Sequence, residues 1–416
     1  MSAEGSAAIA PLPNWQRWAT VWLLCLGVII AYIDRANLSV ALAQKEFTQF
    51  FQLTNSDRGA LNSAFFWSYA LLQIPAGMLV DRFGVKSPYT IFFVLWCCIS
   101  AATGMVQTVT MLIFIRMLLG VFEALVTPAS FRWIRYNTPD RSRGLATGIF
   151  MAGTKYGPAA GAWLAAHFIG AYGWRTMFVV LGLGGLFWLI PWALLVRNND
   201  RELEAASAKA NATQKMPFLT VMRKPAIWGV LIGTYCYNYF VFFSMTWLPA
   251  YFAERRDLSL KDSGAYTAFS FGGMATVAIL AGWAADKLIE RGWNAVAVRR
   301  GFTLAGFAVA SLEIFGALSN SNEFALTMAI VSLSGLGLAT ANYWALTQTL
   351  LPGAAVGSIA GAQNTASNLA GATAPLFTGW LMTATGNYEA PMYAIWGFLL
   401  TGMGAYAILV REKYTK

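Results

Sequence analysis

Mostly apolar stretches of roughly twenty residues or more recur along the whole chain, each closed by a short polar or charged turn. A helix needs about 20 such residues to cross the hydrocarbon core of a bilayer. Twelve segments meet that length, at about 18–44, 57–81, 87–107, 109–135, 143–168, 173–197, 225–252, 263–289, 299–318, 323–349, 357–383 and 388–411. Backbone polar groups find no water in lipid, so each segment is predicted to be a transmembrane helix and the chain an all-α membrane protein. The weak two-residue alternation of a membrane β-barrel is absent.

One longer hydrophilic stretch breaks this rhythm. Residues 198–224 are rich in Ala, Lys and Glu and read as a cytoplasmic linker between two six-span halves. The expected organisation is a cytoplasmic N-terminus 1–17, a bundle 18–197, the linker 198–224, a second bundle 225–411 and a cytoplasmic tail 412–416. The halves echo each other: GMLVDRFGVK (Gly77–Lys86) follows the second span and GWAADKLIERG (Gly282–Gly292) follows the eighth. This recurrence predicts two pseudo-symmetric six-helix bundles. Gly77 would let helices approach closely. Asp81, Arg82 and Asp286 would sit at helix ends, where they could pair with a neighbouring span. Gly77, Asp81, Arg82 and Asp286 are therefore candidates for a conformational latch, with a plain polar turn as the alternative.

Composition supports the membrane reading. The 416 residues are 57% hydrophobic and 12% charged, with mean hydropathy +0.52; soluble proteins carry about 25% charged residues. The formal charge of +10 would suggest nucleic acid in a soluble protein. Here its distribution is topological: of 29 Lys and Arg, 20 fall on the side of both termini, 6 on the other side and 3 within spans. The excess of positive charge on one side places both termini in the cytoplasm, facing anionic lipid headgroups. No nucleic-acid motif is present.

The four cysteines lie inside spans, so no disulfide framework is expected, and the single histidine, His167, leaves no metal-ligand cluster. The polar N-terminus followed by a full-length span reads as having no cleaved signal peptide. Short loops, and Asn-x-Ser/Thr sites only at Asn211 on the cytoplasmic side and at Asn37 within a span, favour a bacterial inner membrane. No metal or cofactor is expected beyond a coupling proton, and the protein is expected to work as a monomer with a small organic anion and the bilayer as partners.

The candidate chemistry lies in five ionisable residues at membrane depth: Asp34, Arg35, Arg116, Glu123 and Lys155. Such groups are costly in lipid unless they pair or line a cavity. Asp34 and Arg35 point about 100° apart on one helix, whereas Arg116 and Glu123, seven residues apart, share a face. The simplest pairing is crosswise, Asp34 with Arg116 and Arg35 with Glu123. Arg35 is the first candidate for a substrate anion, because its guanidinium binds a carboxylate bidentately and stays charged. Glu123, then Asp34, are candidates to carry a proton, with Arg116 as their partner. A static ion-pair brace is the alternative. Lys155, near mid-span before Gly157-Pro158, would face the cavity and attract anions. Glu313, nearer the outer end of span nine, reads as interfacial or structural.

The second half is expected to have no buried basic residue. It offers Tyr235, Tyr237, Asn238, Phe242 and Trp247 in span seven, Asn342 and Trp344 in span ten, and Gln363, Asn364 and Asn368 in span eleven. An amide facing lipid is costly, so these amides are candidates to meet hydroxyl groups on a substrate.

YIDRANLSVA (Tyr32–Ala41), SYALLQIPAGMLVDRFGVK (Ser68–Lys86) and RMLLGVFEA (Arg116–Ala124) resemble the anion:cation symporter family of the major facilitator superfamily, closest to its bacterial hexonate, hexuronate and aldarate transporters. The resemblance covers nearly the whole chain. It implies a fold of two six-helix halves with the site between them. It implies that Asp34 and Glu123 carry protons, that Arg35 contacts a sugar-acid carboxylate, that Tyr69 and Arg116 line the site, and that Asn364 or Asn368 makes a polar contact. Where sugar-acid members carry a glutamine in span five, this chain has Thr154 and Lys155, which leaves an aldarate or other dianion open. The expected function is proton-coupled import of an organic anion. A phosphate-ester exchanger would want a basic residue from each half. An intramembrane enzyme finds no H-E-x-x-H, G-x-S-x-G or phosphate loop here, and the buried charged centre argues against a receptor.

Overall fold

A computed structural model describes residues 12–197, 222–350 and 353–411. Most of the segment 1–17, nearly all of the linker expected at 198–224 and the tail 412–416 lie outside the described residues. The described chain is helical throughout. In the first half the helices are α1 (Asn14–Ala43), α2 (Lys45–Phe50), α3 (Asn55–Phe83), α4 (Lys86–Ala102), α5 (Val109–Glu123), α6 (Val126–Asn137), α7 (Asp140–Gly184) and α8 (Leu189–Leu195). In the second they are α9 (Pro225–Ala250), α10 (Leu260–Glu290), α11 (Ala295–Ala310), α12 (Glu313–Leu318), α13 (Asn322–Leu350), α14 (Gly353–Thr385) and α15 (Glu389–Ile408).

Among the described residues, ten helical stretches are long and apolar enough to cross a membrane. One of them, Leu145–Leu195, runs for 51 residues, more than twice what a crossing needs. It bends at Gly173, whose φ of 78° is a left-handed conformation that glycine adopts without strain. The 33-residue α14 is a further long helix. Local sequence sets the helix starts. Thr54 and Asp57 form a reciprocal cap on α3, the Asp57 N–H donating to Thr54 Oγ1 at 3.2 Å and the Thr54 N–H donating to Asp57 Oδ2 at 2.9 Å. Thr108 Oγ1 accepts from Met111 N at the start of α5, and Asn294 Oδ1 from Ala297 N at the start of α11.

The packing scheme repeats. In the first half α1 lies along α7 and α3 along α5; in the second α9 lies along α14 and α10 along α13. The halves meet where α3 crosses α14, α7 crosses α10 and α1 crosses α9. Small residues make the close crossings. Gly153, Gly157 and Gly161 run along one face of α7 and seat on Cys25, Tyr32 and Ile33 of α1. Gly59 of α3 rests on Pro375 and Gly379 of α14, and Gly264 of α10 on Ala162 and Ala166 of α7. Gly77 is not such a point: a Cβ there would meet only Pro128 Cβ at an ordinary 3.9 Å, so the close approach expected there is not made.

The end of the molecule away from Asn14 and Ile408 is closed by contacts between the halves. Arg58 Nη2 of α3 pairs with Glu254 Oε1, beyond the end of α9, at 2.9 Å; Tyr388 O–H also donates to Glu254 Oε2 at 2.7 Å, and the Arg58 guanidinium lies 4.9 Å from the Trp247 ring centroid. Ser56 and Thr383 hydroxyls meet at 2.8 Å, and Ser63 Oγ donates to Ala372 O at 2.6 Å. Farther along α3, Gln73 Oε1 accepts from Asn364 Nδ2 at 2.5 Å and from Asn368 Nδ2 at 3.1 Å.

Candidate functional site

The 100° between Asp34 and Arg35 sends them to different helices. Arg35 Nε donates to Glu123 Oε2 at 2.8 Å, an ion pair in which both side chains are buried. Asp34 faces α4 instead: its carboxylate accepts from Trp96 Nε1 at 2.7 Å, Ser100 Oγ at 2.7 Å and Asn37 Nδ2 at 3.4 Å. One arm of the crosswise expectation holds. The other does not, because Asp34 is taken up by neutral donors and forms no ion pair with Arg116 among the described residues. Arg116 is buried 5.2 Å from the Phe65 ring centroid, and its Nε has no partner in the protein.

Arg35 sits among aromatic rings, with its guanidinium carbon 4.4 Å from the Tyr32 centroid, 4.7 Å from Tyr69 and 4.8 Å from Phe65. Desolvated cation–π contacts of this kind are worth about 2 kcal/mol. They hold the fork in place while Nε faces Glu123, which leaves the terminal Nη edge for another partner. Tyr69 is fixed in turn by Thr127 Oγ1 at 3.2 Å. The helical run is interrupted directly after Glu123, between α5 and α6, and Glu123 Oε1 is buried without a partner. Buried polar atoms are almost always satisfied. Glu123 Oε1 and Arg116 Nε thus both keep hydrogen-bonding capacity beside the Arg35–Glu123 pair.

The second half does bury a basic residue, contrary to expectation: Arg256, just beyond α9, is spent on Tyr251 Oη and the carbonyls of Ser319 and Gly316. Its central helices present neutral groups. Asn238 Nδ2 donates to Thr234 O at 2.8 Å, Gln363 Nε2 to Thr234 Oγ1 at 3.1 Å, and Asn342 Nδ2 to Leu338 O at 2.9 Å. The carbonyl oxygens of Gln363 and Asn342 remain unpartnered. Tyr237 bonds Thr340 at 2.6 Å and packs on Tyr343, beside Trp344. Lys155 crosses from the first half, its Nζ 5.5 Å from the Tyr237 centroid. The preceding Thr154 turns inward and donates to Met151 O of its own helix at 2.7 Å.

Asn364 and Asn368 meet Gln73, a residue passed over in the sequence although it lies four places after Tyr69, on the same helix face. Trp96 and Ser100, also four apart, were missed as holders of Asp34. The latch candidates stay within their own halves: Asp81 Oδ1 pairs with Arg132 of α6 at 2.5 Å and Asp286 Oδ1 with Arg299 of α11 at 2.9 Å, while Arg82 lies over Phe83. Glu313 is buried at the start of α12 with Oε2 unpartnered, so it is not an exposed interfacial group. An apolar groove of about 580 Å³ between Tyr235, Leu376 and Trp380 is lined by no Asp, Glu, Lys or Arg, so the candidate site is the charged cluster and not that hollow.

The chain is 30% identical over 404 residues to the probable sulfoacetate transporter of Cupriavidus necator, covering 93% of this chain and 92% of that one. It is 28% identical to the D-galactonate transporter of Escherichia coli, covering 97% of each. In fold it superposes with a TM-score of 0.78, at 17% identity, on a bacterial homologue of the human lysosomal transporter Spinster captured inward-facing and occupied, covering 96% and 97% of the two chains. These relatives are transporters and not enzymes. The Major Facilitator Superfamily pattern matches residues 24–375, and the chain is a multi-pass membrane protein that belongs to that superfamily and is similar within it to sugar-acid transporters.

Proposed function

We propose that this chain is a proton-coupled symporter that imports a sugar acid, a hexonate, hexuronate or aldarate, across a bacterial inner membrane. On this reading twelve spans form the bundles 18–197 and 225–411, with both termini cytoplasmic, and the two halves rock about the site between them. The observation that carries it is the buried Arg35–Glu123 pair with an unpartnered Glu123 oxygen beside it. A carboxylate paired to an arginine in this way couples the binding of proton and substrate. When Glu123 takes a proton it gives up its claim on Arg35, and the Nη fork and Nε are free to bind a substrate carboxylate bidentately. When the substrate leaves, Arg35 pairs again with Glu123 and the proton is expelled. Asp34, held by three neutral donors, is a second seat for a proton.

The amides and tyrosines of α9, α13 and α14 supply partners for hydroxyl groups on a polyhydroxylated acid. The phosphate-ester exchanger is disfavoured because those three helices contain no Lys or Arg. Import of a monoanion with one proton moves no net charge; each extra proton is driven by about 2.3 kcal/mol per 100 mV.

The test is D-galactonate uptake into proteoliposomes with an imposed inward proton gradient. Uptake should accumulate with the gradient, and Glu123→Gln should keep substrate exchange while losing accumulation. Uptake indifferent to the gradient would sink the symport reading.

A further inference from the structure

The buried cluster does not balance its charge. The first half brings three cations to membrane depth, Arg35, Arg116 and Lys155, and two carboxylates, Asp34 and Glu123. Glu123 answers Arg35 directly. Asp34, the other carboxylate, is held by Trp96 and Ser100. Lys155 has no ion-pair partner among the described residues; the contact it makes is the neutral face of Tyr237.

Its orientation follows from the helix it stands on. Gly153 and Gly157 seat α7 on α1, at Cys25 and Tyr32. Lys155 lies two residues from each, about 200° round the helix, so it points away from α1 and toward α9 of the other half. An ammonium in that position is strongly hydrated and costly to leave without an anion. The site thus presents two cationic poles. One is the Arg35 fork beside Glu123, with Arg116 on the same Phe65 ring, and the other is Lys155 across the junction of the halves.

We infer that Lys155 receives a second anionic group of the substrate, so that the transported acid is a dianion and Lys155 is the residue that sets this preference. The inference rests on the sugar-acid reading above and narrows it. One carboxylate goes to Arg35 once Glu123 is protonated. The other anionic end goes to Lys155, which at the same moment ties the first half to the second. A static role for Lys155, bracing α7 against Tyr237, makes the opposite demand: its loss would weaken every substrate alike.

Two acids of equal carbon number separate these cases. Binding of D-gluconate, a monoanion, and D-glucarate, a dianion, is measured on the full-length protein in detergent by titration calorimetry. The wild type should prefer D-glucarate at least tenfold, a difference of about 1.4 kcal/mol. Lys155→Gln should abolish that preference by weakening D-glucarate far more than D-gluconate, and Lys155→Arg should restore part of it. Equal affinity of the wild type for both acids, or an equal loss of both in Lys155→Gln, overturns the dianion assignment and leaves the sugar-acid reading standing. Failure of both acids to bind the wild type overturns the sugar-acid reading and this inference with it.

Discussion

In the first half, α1, α5 and α7 carry five ionisable groups at membrane depth; in the second, the corresponding central helices α9, α13 and α14 carry amides, hydroxyls and aromatic rings. The two sets are held differently. The charged side chains are fixed by one another, by rings and by α4: Arg35 by Glu123 and three aromatic faces, Asp34 by Trp96 and Ser100. The second half's Asn238 and Asn342 bond carbonyls one turn back on their own helices, and Asn342 Oδ1 and Gln363 Oε1 keep further polar capacity. Fixed charge in one half suits coupling, since protonation of a carboxylate can release an arginine to a substrate anion only where the two are held in reach. Neutral groups with spare acceptors suit recognition, because they pair with hydroxyls without a large desolvation cost.

The largest effect that would break this contrast is at Arg35. Arg35→Ala leaves Glu123 buried without its counter-ion, which costs about 3–5 kcal/mol when one partner of a buried pair is removed. We expect uptake to be abolished and thermal stability at neutral pH to fall. Gln363→Ala, in the second half, removes a single neutral hydrogen bond worth about 1 kcal/mol. It should weaken substrate binding by tenfold or less and leave proton-driven accumulation intact. If Gln363→Ala is as damaging as Arg35→Ala in the same uptake assay, the division of labour fails.

A smaller effect concerns how firmly the charged half is built. A Cβ on Gly157 would press into Tyr32 and stand 3.0 Å from Ile29 O, whereas one on Gly272 of α10 would meet nothing within 4 Å. Gly157→Ala should destabilise by about 1–3 kcal/mol through overpacking, and it should also slow transport, because Tyr32 is one of the rings around Arg35. Gly272→Ala should leave stability unchanged or slightly raised. Melting curves in detergent read both; equal melting shifts would mean that the glycine stripe on α7 does not set the α1 contact.

Several of these features could be read from the sequence and others could not, for physical reasons. Hydropathy exposes the spans, and a charge inside a span stands out, so Asp34, Arg35, Arg116, Glu123 and Lys155 needed no structure. The angle between adjacent residues and the seven-residue spacing led to the Arg35–Glu123 pair. Nothing local told that Asp34 would turn to α4. An indole such as Trp96 reads as one more apolar ring, and its donor matters only once α1 and α4 are packed. Gln73 shares a face with Tyr69, but its partners are 291 and 295 positions away. Arg58 and Glu254 read as ordinary outer-side charges until folding clamps them together. The repeated Gly-x-x-x-Asp pattern marked two carboxylates that pair with a neighbouring helix and a glycine that makes no close approach, because periodicity reports equivalence between the halves and not which atoms touch.

The smallest effect tests that repeat. Asp81 and Asp286 occupy matching places, yet the structure ties them to different neighbours: Asp81 to Arg132 on α6, three helices on, and Asp286 to Arg299 at the start of the next long helix, α11. Both carboxylates are largely exposed, so either pair contributes about 1 kcal/mol or less to stability. Asp81→Asn and Asp286→Asn should therefore shift melting by no more than a few degrees. A latch acts on the balance between conformations instead, where a small bias changes turnover without changing the folded state much. We expect Asp81→Asn to slow turnover more than Asp286→Asn, since Arg132 is the more buried of the two arginines and its carboxylate bridges nonadjacent spans. Turnover unchanged in both variants would reduce the repeated motif to a polar helix end. Equal slowing in both would mean that the two halves latch symmetrically despite their different partners, and the contrast between them would then be confined to the buried centre.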